Sequence, residues 1–260
     1  MNTLSINPSR RMLSVCGVSS AFLLTGTDKI ISGFGNGDCL FLDFQRQIFA
    51  VADATERYPF SSRKLLESLR HEILNSSVKE SIGKIWSKQQ YNHRSTLSCI
   101  WIEEECSGIK VSIFHGGDSV IIIGDKNNIA FQSRTNMFFA GRSKVMPDIL
   151  NVNLTNKNQR IILATDGFND FMRNGFSVCQ IFNHSIHEIA EIIYSKKEYI
   201  KNYDDIGFII IDPFCFTSYP SDSIIMGGTT ANQEKEYLNL SCKSKDYGEL
   251  LKISGISVYT

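Results

Sequence analysis

The run Ile48-Phe49-Ala50-Val51-Ala52-Asp53 joins a short apolar strand directly to a carboxylate, and it is the clearest fold signal in the chain. A second apolar run, Leu40 to Phe44, lies just before it across three polar residues, so the two runs are predicted to form a β-hairpin. Asp53 then stands where a strand leaves the core and its side chain is only partly solvated. Burying such a charge is costly unless something pairs with it.

The same arrangement occurs twice more. Asp166 follows the apolar run 161–165, and Asp204, with its neighbour Asp205, precedes the apolar run 206–210. Taken singly, each aspartate is better explained as a turn residue, because Asp is common in turns. If the three converge, a divalent cation relieves both their burial and their mutual repulsion. Ligation by oxygen alone suits Mg²⁺ or Mn²⁺ rather than zinc.

Hydrophobic periodicity outlines the remaining elements. Strands are predicted at 97–102, 111–114, 120–123, 129–131, 160–165 and 208–211. Helices are predicted around 65–74, 77–86 and 186–200, the last two beginning with possible capping boxes, Ser77 with Glu80 and Ser185 with Glu188. The polar stretch 132–158 is predicted to be irregular. Residues 12–27 are uncharged but interrupted by polar residues, which favours a first strand over a secretory signal or a bilayer span.

Composition and turn-forming residues indicate how the chain divides into domains and where in the cell it is located. Residues 1–212 are predicted to form one domain, and residues 213–260, richer in Ser, Thr and Gly, an appendage of unknown structure. The chain has 27 basic and 27 acidic residues, a balance that argues against binding nucleic acid through a general basic field. Seven scattered cysteines with no CxxC pair indicate reduced thiols and a cytoplasmic protein.

Five short motifs follow one another along the chain. They are Phe49 to Asp53, Arg94-Ser95-Thr96-Leu97-Ser98, Gly116-Gly117-Asp118-Ser119, Leu163-Ala164-Thr165-Asp166-Gly167-Phe168 and Asp204-Asp205-Ile206. In this order they resemble the motifs of the metal-dependent Ser/Thr protein phosphatases of the PPM type, also called type 2C. The resemblance spans about residues 30–212. It implies an α+β fold, a four-layer α/β/β/α sandwich with a central pair of antiparallel sheets flanked by helices.

The resemblance also implies the chemistry of the site. Asp53 would bridge two Mn²⁺ or Mg²⁺ ions, the backbone carbonyl of Ala54 would contact one of them, and Asp166 and Asp204 would complete a metal shell. Asp38 and Asp118 are candidates for further contacts, Asp118 to a third, weaker ion. Asp53, Asp166 and Asp204 would act through a metal-activated water on a phosphorylated protein substrate. No membrane partner is implied.

The chain departs from the family pattern in three places, one of them the run 53–57, where Asp-Ala-Thr-Glu-Arg replaces the usual Asp-Gly-Met-Gly-Gly. Gly33 stands where the family carries a phosphate-binding Arg, and Gly37 stands where it carries an acid. Losing the guanidinium removes a bidentate phosphate clamp, for which Arg57 or Arg94 are candidate replacements. These losses keep an alternative open, a catalytically weak or inactive regulatory or binding module on the same fold. An unrelated metal-dependent phosphoesterase and a structural protein are further alternatives.

Overall fold

Two antiparallel sheets form the centre of the molecule. The computed structural model describes residues 4–55, 57–87, 94–106, 108–173, 177–196, 202–216, 222–244 and 246–260. The first sheet has the strand order β1-β2-β3-β12-β11-β8-β9. Its strands are β1 (Leu4–Asn7), β2 (Met12–Val15), β3 (Ser19–Leu24), β8 (Val120–Gly124), β9 (Ile129–Gln132), β11 (Arg160–Ala164) and β12 (Ile206–Ile211).

The second sheet has the order β10-β7-β6-β5-β4-β13-β14. Its strands are β4 (Asp38–Asp43), β5 (Ile48–Asp53), β6 (Leu97–Glu105), β7 (Gly108–Gly116), β10 (Asp148–Leu154), β13 (Ser223–Gly227) and β14 (Ile256–Tyr259). The predicted hairpin is β4–β5, in which Asp38 lies opposite Asp53. This register places both carboxylates at one end of the hairpin.

The helices of the described residues are α1 (Thr27–Ser32), α2 (Phe60–Ile73), α3 (Val78–Ser87), α4 (Phe168–Arg173), α5 (Val178–Ile181), α6 (Ile186–Lys196), α7 (Ala231–Leu240) and α8 (Tyr247–Ile253). Helices α2 to α6 cover the outer faces of the two sheets. The second sheet packs against α2 and α3, and the first against α4, α5 and α6. The predicted four-layer α/β/β/α sandwich is therefore confirmed.

Strand alternation builds three layers of apolar core from the two sheets. In β4, Leu40 and Leu42 face the other sheet, whereas Phe41 faces the layer that contains α2. In β12, Ile209 faces the space between the sheets and Phe208 packs among the residues of α4 to α6. Both faces of these strands are buried, which explains why they read as continuous apolar runs rather than as an alternating pattern.

Local sequence signals located most elements correctly. Residues 12–27, predicted as a first strand, contain two strands, β2 and β3, and β1 precedes them. Both predicted capping boxes form, with Ser77 bonded to Glu80 and Ser185 bonded to Glu188. The end of the third predicted helix lies outside the described residues, because 197–201 are not among them. All seven cysteines carry free thiols. Within the described residues, no helix combines the length and the apolarity that a membrane span requires.

The prediction that 132–158 is irregular throughout is wrong, because this stretch contains β10. That strand pairs along its whole length with β7, from Asp148 opposite His115 to Leu154 opposite Ile109. It is an edge strand with mostly exposed side chains, and only Leu154 is buried. An edge strand that buries so little carries no apolar alternation for the sequence to reveal.

Residues beyond 212, which the sequence predicted to be an appendage of unknown structure, supply two strands and two helices. Strand β13 inserts between β4 and β14, so the second sheet continues across the predicted boundary at residue 212. Ile224, Ile225 and Met226 are fully buried in this strand. The apolar run is only three residues long and is bounded by Ser and Gly, too short to stand out by periodicity.

Candidate metal centre

Three carboxylates from different strand ends converge at one edge of the sandwich. Asp53 ends β5, Asp118 lies in the turn between β7 and β8, and Asp166 follows β11. Each is half-buried, and each offers a carboxylate oxygen within 4.8 Å of those of the other two. The structure therefore brings together two of the three acids singled out as strand-end residues, with Asp118 as the third member.

Asp38 lies immediately behind this group. Its Oδ2 accepts a hydrogen bond of 2.5 Å from Thr165 Oγ1, whereas its Oδ1 is buried and has no hydrogen-bond partner among the described residues. Buried polar atoms are nearly always paired, so an orphaned carboxylate oxygen that faces other carboxylates calls for a cation. The donor set fits a hard divalent ion, which takes oxygen ligands only.

Asp204 lies at the rim of the group rather than inside it. Its side chain is about half exposed, and its Oδ1 is 3.4 Å from Nζ of the buried Lys29 on α1. Its backbone N–H faces Asp170 of α4, with 3.3 Å between the nitrogen and the Asp170 carboxylate. The three-carboxylate cluster therefore does not include Asp204.

Burial and mutual repulsion perturb these acids strongly. Burial and the nearby Asp53 and Asp205 raise the pKa of Asp38 well above its usual value, and burial with Asp166 and Asp205 does the same for the pKa of Asp53. Burial, followed by Asp118 and Asp204, raises the pKa of Asp166 to about 6. These pKa values are raised because the ionised carboxylates lack counter-charges, and a divalent cation would supply them.

The backbone of Asp53 is fixed by the small residues of the second motif. Its N–H donates to Thr96 Oγ1 at 2.8 Å, and its carbonyl accepts from both the Thr96 N–H and the Ser95 hydroxyl. Thr96 Oγ1 also pairs with Ser119 Oγ at 2.9 Å, next to Asp118. The two hydroxyls thus hold the strand end of Asp53 and the turn of Asp118 in one network.

Asp205 is a structural carboxylate. It is buried and accepts hydrogen bonds from the backbone N–H groups of Gly26 and Gly37 at 2.7 and 2.8 Å. Although these bonds favour the ionised form, burial dominates and raises the pKa of Asp205 to about 7. Its role is to anchor the turn that leads into Asp38.

Gly37 is explained by a close approach of two backbones. A Cβ at this position would lie 2.6 Å from the carbonyl oxygen of Ala54 and 3.2 Å from Asp53 Oδ1. The Ala54 N–H donates to the Gly37 carbonyl at 3.1 Å, which holds the two segments together. Where the family pattern has an acid, this backbone leaves no room for a side chain.

A buried ion pair supports the same turn from behind. Arg11 and Glu234 are 1% and 2% exposed and pair at 2.5 Å, although 223 residues separate them. Thr25 Oγ1 donates to Glu234 at 2.7 Å and receives a bond from the amide of Asn36 at 3.3 Å. Asn36 Oδ1 in turn accepts from the Asp38 N–H at 2.9 Å, so the pair is two hydrogen-bonded residues away from Asp38.

An open cleft of about 1130 Å³ adjoins the carboxylates. Asp53, Ala54 and Asp204 line it, and five cationic side chains line it as well: Lys29, Arg57, Arg94, Arg142 and Lys144. Gly33 ends α1 in the left-handed conformation with φ of 70° and has no side chain to contribute to the cleft. Positive charge in the cleft therefore comes from positions other than that of the family's Arg.

Sequence reasoning missed several residues that shape the site. Asn136 accepts from the Gly117 N–H at 2.8 Å and so fixes the Asp118 turn from the stretch predicted to be irregular. Lys29 and Asp170 contact Asp204, and the Arg11–Glu234 pair supports Asp38. None of these residues lies in a motif, and only their positions in space reveal them.

No protein-family model matches the sequence, and no curated protein matches it. Solved structures match the fold. RsbX in complex with magnesium superposes with a TM-score of 0.59 and 16% identity, covering 81% of this chain and 98% of that one. A bacterial serine phosphatase gives 0.56 and 14%, covering 74% and 96%. The catalytic domain of the serine/threonine protein phosphatase PstP with two manganese ions gives 0.51 and 14%, covering 75% and 98%.

The chain has the PPM-type phosphatase fold. Within this fold the strand-end carboxylates Asp53, Asp118 and Asp166 meet between the two sheets at one edge of the sandwich. The fold predicted from the motif resemblance is thus confirmed. At these low identities the likeness concerns the fold, and the chemistry of this chain has to be argued from its own residues.

Proposed function

We propose that this chain is a metal-dependent protein phosphatase that hydrolyses phosphoserine or phosphothreonine in protein substrates, with Mg²⁺ or Mn²⁺ as its cofactor. The observation that carries the proposal is the convergence of Asp53, Asp118 and Asp166, with carboxylate oxygens within 4.8 Å of one another, beside an open cleft. An all-carboxylate cluster of this kind suits a hard divalent cation.

The proposed site binds two ions. Asp53 would be shared by the two ions, and the Ala54 carbonyl and Asp166 would supply further ligands. Asp204, which lies at the rim beside Lys29, would complete a shell from the edge of the cluster. Asp38, with its orphaned Oδ1, would supply a further contact, and Asp118, beside Asp53 and Asp166, would hold a third, weaker ion. RsbX with magnesium and the PstP domain with two manganese ions support this class and number of ions.

Divalent cations at such a site supply an activated water and neutralise charge on the phosphoryl oxygens. The chain's own residues bind and orient. Ser95 and Thr96 hold the backbone of Asp53, and Thr165 holds Asp38 through its Oδ2. Arg57 or Arg94, which line the cleft, would take the place of the guanidinium missing at Gly33 and orient the phosphate ester.

A hydrolysis assay with matched variants tests the proposal. Wild type is expected to hydrolyse an aryl phosphate and a phosphothreonine peptide with Mn²⁺ or Mg²⁺. Asp53→Asn and Asp166→Asn are expected to lower turnover by about 100-fold or more, because each removes a charge that holds the cations. Glu104→Gln is the control, because it makes the same chemical change on an exposed residue near the far end of β6.

Calorimetric titration with Mn²⁺ separates the alternatives. Metal binding without any turnover would contradict the proposal, and the absence of both would identify an inactive binding module on the same fold. Metal-dependent turnover of the aryl phosphate alone would identify a phosphoesterase that does not act on proteins. We also place the protein in the cytoplasm, on the strength of its seven free thiols.

A further inference from the structure

Cationic side chains surround the cleft on more than one side. Lys29 is buried and lies against Asp204, so it belongs with the carboxylate group. Arg57, Arg94, Arg142 and Lys144 are exposed at the rim. We call these four the cationic rim. Within the described parts of the chain, no residue of the cationic rim forms an ion pair.

Backbone hydrogen bonds hold three of the four rim residues on one wall. Ser95 and Ala140 exchange N–H···O bonds of 3.3 and 2.9 Å, which ties the residue after Arg94 to the turn that carries Arg142. The Ser143 N–H donates to the Phe139 carbonyl at 2.9 Å and its hydroxyl accepts from the Phe139 N–H at 2.8 Å, closing that turn before Lys144. Arg94 lies over the Phe139 ring, 5.7 Å from its centroid.

The rim carries more positive charge than one phosphate ester needs. A phosphoresidue brings about −1.5 to −2 charges, which the divalent cations of the proposed site would balance at the centre of the cleft. The chain as a whole has no formal net charge, so four exposed cations around one cleft are a local concentration rather than part of a basic surface. Unpaired cations at a rim act on partners that bring opposite charge with them.

We propose that the substrates carry further anionic groups close to the phosphorylated residue, and that the cationic rim binds these groups and sets the substrate preference. The inference rests on the proposed phosphatase function. The anionic groups are carboxylates or additional phosphates, which share the charge and geometry that Arg binds bidentately. A phosphoserine or phosphothreonine in an acidic or multiply phosphorylated segment is therefore the expected substrate class.

Three phosphothreonine peptides test the substrate class. One has alanine flanks, one has glutamate flanks, and one has a second phosphoserine beside the phosphothreonine. The measured quantity is the ratio of kcat/KM for each anionic peptide to that for the alanine peptide. Wild type is expected to prefer the anionic peptides, and Arg142→Gln with Lys144→Gln is expected to reduce the ratio by about threefold for each cation removed.

Lys126→Gln with Lys157→Gln is the matched control. Both lysines are exposed, and they lie beyond the ends of β8 and β11 that are opposite Asp118 and Asp166. This pair removes the same charge from the protein without touching the rim, so its ratio is expected to equal that of wild type. Fluorescence anisotropy with non-hydrolysable phosphonate versions of the three peptides measures binding directly, at low and high salt.

The outcomes separate the two hypotheses. Failure to hydrolyse an aryl phosphate would remove the proposed function, while the anisotropy still decides whether the rim binds anionic peptides. Hydrolysis of all three peptides with equal kcat/KM, or an equal loss of preference in the control pair, would overturn the inference and leave the phosphatase intact. A preference for the glutamate peptide alone identifies carboxylates as the groups that the cationic rim binds, and a preference for the doubly phosphorylated peptide alone identifies phosphates.

Discussion

Replacing Glu234 by Gln is expected to cost about 3–5 kcal/mol of unfolding free energy, because it leaves the buried guanidinium of Arg11 without its counter-charge. The surroundings cannot compensate. Arg11 is 1% exposed and its remaining contacts are neutral, namely the Ser254 carbonyl at 2.8 Å, the Thr25 hydroxyl at 3.1 Å and the face of the Tyr237 ring. At 1% exposure, bulk solvent can do little to screen the unpaired charge.

Urea denaturation followed by tryptophan fluorescence measures the effect. The neighbouring pair Arg10–Glu191 is the control, because its side chains are 35% and 54% exposed, and Glu191→Gln is expected to cost less than about 1 kcal/mol. The double variant Arg11→Met with Glu234→Leu is expected to be more stable than Glu234→Gln, because it removes both charges together. A cost of 1 kcal/mol or less for Glu234→Gln would refute this account of the pair.

The same variant has two further consequences. Metal affinity measured by calorimetry is expected to fall, because Glu234 is connected through Thr25 and Asn36 to the N–H of Asp38. Burial alone would raise the pKa of Glu234, but Arg11 and the hydroxyls beside it hold that pKa below the ordinary 4.5. The pair's contribution is therefore complete above pH 4.5 and is lost as the pH falls through the lowered value.

Three other predictions concern the site itself. Gly37→Glu, which restores the family's acid, is expected to weaken rather than strengthen Mn²⁺ binding in calorimetry, because its Cβ would lie 2.6 Å from the Ala54 carbonyl oxygen; tighter binding would contradict this. Thr165→Val is expected to lower metal affinity by about 10-fold or more, because it removes the hydroxyl that holds Asp38 Oδ2, and Thr155→Val on an exposed loop is its control. In EDTA, the unfolding free energy of wild type relative to that of Asp166→Asn is expected to fall as the pH rises from 4 to 7. The reason is that the pKa of Asp166, raised to about 6, lets the folded state keep its proton at pH values where the unfolded state has lost it. Urea midpoints of the two proteins that stay parallel across this range would contradict the prediction.

Several parts of the fold were predictable because they are local properties of the chain. The apolar runs before Asp53 and Asp166 are buried on both faces, so they stand out as strands whatever they pack against. The capping boxes at Ser77 and Ser185 involve residues three positions apart. In contrast, β10 and β13 were not predicted, since β10 is an exposed edge strand and β13 has only three apolar residues.

The site was predictable in its chemistry but not in its exact membership. The motif order pointed to Asp53 and Asp166, and the structure brings both together with Asp118, which the sequence offered only as a candidate for a weaker contact. Asp204 lies at the rim beside Lys29, a residue that no motif suggested. The register of β4 against β5 decided that Asp38 lies opposite Asp53.

The sequence by itself determined that acids lie at the ends of apolar strands, in an order typical of one phosphatase fold. It could do so because strand length, alternation and turn residues depend on neighbouring positions in the chain. Only the tertiary structure decided which carboxylates meet, why Gly37 must lack a side chain, and that Arg11 pairs with Glu234 across 223 residues of chain. Such contacts depend on sheet register and on the packing of distant segments. No local pattern encodes them, because the two residues of each contact are far apart in the sequence and neither one identifies the other.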